Sequence, residues 1–170
     1  AYSKGGSSIY DKEYVPSADM LTSLTDFYGV GEFDAMGLQK MLTGKNVSLR
    51  LSLNGLNEGM NGTASPKDME TLMQLVYLHF QRPRFDPEAH QAIMTRYRAL
   101  VQNMGNDPQK IMGDSLSLIL TDYHPRTRVL DMEFLADIEL EMIEQIYRER
   151  YADASDFIFF IVGNIEKEEV

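Results

Sequence analysis

Two spacings of apolar residues alternate along this chain. From Val47 the stretch NVSLRLSLN sets Val47, Leu49, Leu51 and Leu53 against Ser48, Arg50 and Ser52, the period of a strand with one wet face. EGMNGTA, from Glu58, predicts an antiparallel return across a turn at Asn54-Gly55. Near the other end FIFFIV, Phe157 to Val162, has no polar alternation, which predicts a central strand buried on both sides.

Between these strands the apolar period lengthens to that of a helix. Ser65-Pro66, Asp86-Pro87 and Asp107-Pro108 each join a capping side chain to a proline at the first helical position, where no backbone donor is needed. The first of these helices carries Met69, Leu72, Met73, Val76, Tyr77 and Phe80 on one face and stops before Arg82-Pro83. The second presents Ala89, Ile93, Tyr97, Leu100, Val101 and Met104 and ends on Gly105 as a C′ residue. The third presents Ile111, Met112, Leu116, Ile119 and Leu120 up to His124-Pro125. A fourth starts near Met132 with Leu135, Ile138, Met142, Ile143 and Ile146 inward, while Glu139, Glu141 and Glu144 form a solvated face. Two shorter helices are predicted earlier, one capped by Ser17 and ending at Gly29, the other from about Phe33 to Thr43 and closed by Gly44. The fold class is α+β, an antiparallel or mixed sheet packed against helices.

Composition narrows the partners. The 170 residues, 44% of them hydrophobic, suffice for one core, so residues 1–170 read as a single domain. With a net charge of -10 and scattered basic residues, nucleic acid is not an expected partner. No apolar run approaches the roughly 20 residues that span a bilayer, so membrane insertion is not expected either. Zero cysteines exclude disulfides and thiolate metal sites. The chain opens on AYSKGGSSIY without Met or a charged leader, as expected of a piece of something longer.

Candidate chemistry is sparse. His79 and His90 lie close in sequence, with Asp86 and Glu88 beside the second, but a hydrolytic zinc site needs two ligands one helical turn apart, a third ligand and a base. Two prolines and a change of helix separate these histidines, so His79 reads as a helix-end residue capping carbonyls and His90 as a surface residue. His124 reads as a loop residue. There is no G-x-S-x-G elbow, no phosphate loop and no serine spaced for a triad. No residue is assigned a catalytic, cofactor-binding or metal-ligating role.

The order of segments carries more than any one of them. YSKGGSSIY, GVGEFDAMGLQKMLTGKNVSLRLSLN, EGMNGTASPKDMETLMQLVYLHFQRPRFD, NDPQK and YRERYADASDFIFFIVGNIE together resemble the insulinase or pitrilysin-type zinc peptidases over essentially the whole chain. The resemblance implies a polypeptide of four homologous α+β domains in two halves that close around a peptide. Only the first domain carries the inverted zinc motif H-x-x-E-H, and a third ligand, a Glu, lies on a later helix.

This chain departs from the active pattern at each chemical position. The stretch matching the motif helix, ADMLTSLTDFY from Ala18 to Tyr28, has no histidine, and where the third carboxylate should fall, near Leu100, no acid occurs between Glu88 and Asp107. The resemblance therefore implies a non-catalytic domain, the third of four and lacking its first strands. It would wall the peptide-enclosing chamber and help select substrates, with zinc held only by the catalytic domain of the parent. Its partners would be the remaining domains of the same peptidase and the peptide substrate. Self-association through an exposed sheet edge is also expected. The alternative is an assembly domain of a non-peptidase complex derived from the same family. The resemblance points to the periplasm or cell envelope ahead of the cytoplasm.

Overall fold

The computed structural model describes residues 1–164. The alternating stretch forms β2 (Val47–Leu53), which pairs antiparallel with β3 (Asn57–Ala64) from Leu53↔Glu58 to Val47↔Ala64. A short β1 (Tyr2–Lys4) lines the other edge of β3, giving the order β1-β3-β2. The alternation sorts as predicted, with Ser48 and Arg50 exposed and Leu51 buried. The turn is displaced by one residue: Asn54 and Asn57 pair through an N–H···O bond of 2.8 Å, which leaves Gly55-Leu56 as its central residues.

Seven helices accompany this sheet among the described residues: α1 (Val15–Tyr28), α2 (Ala35–Met41), α3 (Met69–Gln81), α4 (Pro87–Met104), α5 (Pro108–Leu120), α6 (Met132–Ala136) and α7 (Leu140–Arg150). α1 and α3 both pack on β2, and α1 also packs on α4 and α7. Leu21, Leu24 and Tyr28 of α1 meet Leu51, Met60, Ile93, Ile143 and Ile146 in the core. α3 comes so close to the sheet that a Cβ on Gly62 would stand 2.7 Å from Leu72 Cδ1, so β3 carries a glycine opposite the helix. The class is α+β, as expected.

The proline starts of α4 and α5 form as predicted. Asp86 Oδ1 accepts from the N–H groups of Glu88 and Ala89, and Asp107 Oδ1 from that of Gln109. Ser65-Pro66 instead opens a 3-10 turn over Pro66–Asp68, and α3 follows it; there Asp68 Oδ2 accepts from the Ser65 hydroxyl and the Asn46 N–H, tying the turn to the start of β2.

Six other expectations are corrected. Ser17 lies inside α1, where its buried hydroxyl accepts from the Glu139 N–H at 3.1 Å, so it fixes α7 rather than capping α1. α2 is shorter than Phe33 to Thr43 and is capped by Asp34. Gly105 has φ of -61° and is not a left-handed C′ residue. α5 stops at Leu120, before two residues of positive φ, Asp122 and Tyr123. The fourth helix is broken into α6 and α7: α6 ends at Ala136, and Glu139 takes extended backbone angles before α7, its N–H donating to the Ser17 hydroxyl. FIFFIV is no buried central strand: Phe157 is buried and Ile158 bridges Tyr2, but Phe160 is 71% and Val162 97% exposed.

Candidate functional site

By the family resemblance, α1 is the helix on which zinc ligands would lie. Its inward face is Ala18, Leu21, Leu24, Thr25 and Tyr28, side chains without an imidazole or carboxylate, and Leu100 on α4 is exposed rather than an inward acid. The residues present do not fit a zinc ion. Among the described residues no group of three His, Asp or Glu is placed to hold one.

The histidines occupy one aromatic row instead. Tyr28 at the end of α1 stands 2.7 Å from His90 Nδ1. Its ring packs edge-on to Phe85, which packs edge-on to Tyr147. Tyr147 donates to the His79 carbonyl at 2.8 Å and lies 3.2 Å from His79 Nδ1. His79 is thus half-buried against Tyr147, not carbonyl-capping, and the removal of water around its ring pulls its pKa down to about 4. His90 is half-buried, not a surface residue, and burial lowers its pKa as well. Both rings are neutral hydrogen-bond partners of buried tyrosines, which serve packing and orientation. His124 does lie in a loop, accepting from the Arg126 N–H. Sequence spacing offered no signal for these pairings, because the tyrosines lie 62 and 68 residues away along the chain.

A second polar cluster holds the N-terminal segment. Glu58 on β3 is 2% exposed; Oε2 accepts from the Gly6 N–H at 2.5 Å, and Oε1 lies 3.8 Å from Arg150 Nη1. Nearby the Tyr10 hydroxyl donates to Glu149, and the Arg126 guanidinium donates to the carbonyls of Tyr10 and Ser7. These contacts seat residues 1–10 against β3, α7 and the loop before α6. The bonds of this cluster serve anchoring, and no group in it is arranged as a nucleophile with its base.

Among the described residues, two exposed apolar surfaces stand out. α5 has the apolar pattern of a core helix but no buried residue: Ile119 is 59% and Leu120 80% exposed. The other is a groove of about 470 Å³ between β3, α3 and the segment from Phe159 onward. Sequence periodicity found the apolar residues of both, and missed that no element among the described residues covers them.

The same arrangement of sheet and helices occurs in known structures. The periplasmic protease PqqL from Escherichia coli matches with a TM-score of 0.72 and 16% identity over 99% of this chain. The chain has the fold of a pitrilysin-family protease domain. A mutant of the ferredoxin protease FusC, solved with Arabidopsis ferredoxin, matches with a TM-score of 0.62 and 17% identity over 88% of the chain. The chain spans 18% of the length of PqqL and 16% of that of FusC. No family model and no curated protein sequence matches it. The family-like order of segments thus agrees with the fold.

Proposed function

We propose that this chain is a non-catalytic domain of a larger pitrilysin-type protease, where it forms part of the wall that encloses a peptide and helps select it. The observation that carries the reading is α1: the chain has the protease-domain fold over nearly its whole length, yet its motif helix has an apolar inward face where ligands would be needed. Zinc and the hydrolytic chemistry then belong to another domain of the parent. The exposed α5 face supports the same reading. Five large apolar side chains of α5, from Leu116 at 49% to Leu120 at 80% exposed, each forgo about 1–2 kcal/mol relative to full burial, so the face suits a neighbouring domain.

Hydrogen exchange tests it. Amides of α5 should exchange at least tenfold more slowly in the parent polypeptide than in the isolated chain, because a packed face raises the cost of local opening. Equal exchange in the two would contradict the wall role. The assembly-domain alternative predicts the same protection but no H-x-x-E-H in the parent, so reading the parent sequence separates the two.

A further inference from the structure

Two Asn-Gly pairs occur in the chain, Asn54-Gly55 and Asn61-Gly62, and the asparagine of each is exposed. Asparagine is chemically labile, and most so before glycine, whose missing side chain lets its amide nitrogen approach the neighbouring carboxamide. The two pairs stand in different surroundings. Bonds at Asn54–Asn57 and Asn46–Ser65 set the alternation of the β2–β3 ladder, and by it Asn61 exchanges both backbone bonds with Arg50 in mid-sheet. Asn54 lies at the tip of the hairpin, where its N–H donates to the Asn57 carbonyl at 2.8 Å and its Nδ2 to Asn57 Oδ1 at 2.9 Å. Among the described residues no backbone carbonyl takes the Gly55 N–H, and a Cβ on Gly55 would meet nothing within 4 Å.

Residues 5–8 hold this tip through its backbone. The Asn54 carbonyl accepts from the Ser7 N–H at 2.8 Å, that of Gly55 from Ser8 at 2.9 Å and that of Leu56 from Gly5 at 3.1 Å. Three successive carbonyls are thus taken by one segment. Gly6, between these donors, has φ of 76°, and a Cβ on it would stand 2.5 Å from the Asn54 carbonyl oxygen and 2.5 Å from the Asn57 nitrogen. So close a fit admits only glycine. The Gly6 N–H in turn donates to Glu58.

We propose that Asn54-Gly55 is a site of spontaneous covalent modification, gated by residues 5–8. The Gly55 nitrogen attacks Asn54 Cγ, and the carboxamide nitrogen leaves as ammonia with the Gly55 amide proton, so that a five-membered cyclic imide remains. Water opens the imide at either carbonyl. Breakage at Cγ gives aspartate, and breakage at the former main-chain carbonyl gives isoaspartate. Ring closure dictates how the Asn54–Gly55 peptide is rotated, and that rotation is not free while Ser7 and Ser8 hold the carbonyls on either side. Releasing residues 5–8 breaks fewer bonds than opening the β2–β3 ladder, which the same ring requires at Asn61. Isoaspartate leads the main chain through the former side chain, adding one carbon between residues 54 and 55 and a carboxylate beside Gly6. The turn carbonyls then no longer match Gly5, Ser7 and Ser8, so the released segment does not return. The hairpin tip is a one-way latch, and it stands apart from the proposed role in a chamber wall.

The experiment ages the 170-residue chain at mildly alkaline pH and follows both asparagines by peptide mapping, with isoaspartate read by enzymatic methylation. Asn54 should convert at least tenfold faster than Asn61, to a mixture of aspartate and isoaspartate. Gly55→Ala, which fits without a clash, should slow Asn54 at least tenfold. Gly6→Ala, which pushes residues 5–8 off the tip, should speed Asn54 at least threefold and leave Asn61 unchanged, so that Asn61 reports any general unfolding in the same molecules. In the aged chain the amides of Gly5, Ser7 and Ser8 should exchange at least tenfold faster than in fresh chain. Equal rates at Asn54 and Asn61, or aspartate without isoaspartate, would overturn the site. A Gly6→Ala chain in which Asn54 keeps its rate, or in which both asparagines accelerate alike, would overturn the gate. Unchanged exchange at Gly5, Ser7 and Ser8 after conversion would overturn the latch.

Discussion

Replacing Glu58 by Gln removes one charge from the interior and almost no volume. In the native chain the carboxylate accepts from the Gly6 N–H at 2.5 Å and faces Arg150 Nη1 at 3.8 Å, while Arg150 Nε is buried without a partner. A hydrogen bond to a charged acceptor contributes about 1.5–3 kcal/mol and a neutral one about 0.5–1.5 kcal/mol, so the amide forfeits about 1 kcal/mol at Gly6. The guanidinium, three-quarters or more buried, then loses the carboxylate it faces and keeps only the weaker attraction of Glu149. That adds about 1–2 kcal/mol, below the 3–5 kcal/mol for breaking a closely paired buried bridge because 3.8 Å is a loose contact. Glu58→Gln should therefore destabilise by about 2–3 kcal/mol. With a urea m-value of about 2 kcal/mol per M the midpoint falls by about 1 M, at unchanged m. Arg150→Met alone should cost about 2 kcal/mol, and the double variant should cost less than the sum by about 1 kcal/mol or more. A Glu58→Gln midpoint equal to that of the native chain, or single effects that add to within about 0.3 kcal/mol, would refute the claim that this cluster anchors the N-terminal segment.

Other outcomes follow from single positions. Gly29 has φ of 81°, and a Cβ there would stand 2.1 Å from the Phe33 carbonyl oxygen; Gly29→Ala should cost at least about 3 kcal/mol, read by thermal melting. Because the folded pKa of His79 is about 4 against an ordinary 6.5, the unfolded chain binds the extra proton first. Stability is then lost as pH falls from about 6.5 toward 4, by about 3 kcal/mol in all; His79→Gln should flatten this part of the urea-midpoint profile, and an unchanged slope would contradict the assignment. Leu120→Glu on the exposed face of α5 should leave stability within about 0.5 kcal/mol, and a larger loss would show that the face is covered in the isolated chain.

How much could be read from the sequence depended on where each residue finds its partner. β2 was legible because its alternation reports one covered and one wet face, whatever covers it. Asp86-Pro87 and Asp107-Pro108 were legible because cap and proline act within one turn of the helix they start. The break between α6 and α7 was hidden because it turns on Ser17, far along the chain, accepting from the Glu139 N–H. The histidines were misread for the same reason, since burial by Tyr28 and Tyr147 is a tertiary fact. FIFFIV and α5 show the opposite case: their apolar patterns describe covered elements, and the described residues do not supply the cover. That Ala18 to Tyr28 carries no histidine is a property of the sequence itself, whereas which of its side chains face inward needed the structure.

The central claim, a protease-domain fold without its metal chemistry, is tested most directly by loading the purified chain with zinc. After dialysis against a chelator and re-addition of zinc, metal per chain is measured together with hydrolysis of a mixed peptide library. The account predicts much less than one tightly held zinc per chain and no chelator-sensitive cleavage. One zinc per chain retained through gel filtration, with cleavage that the chelator abolishes, would contradict it.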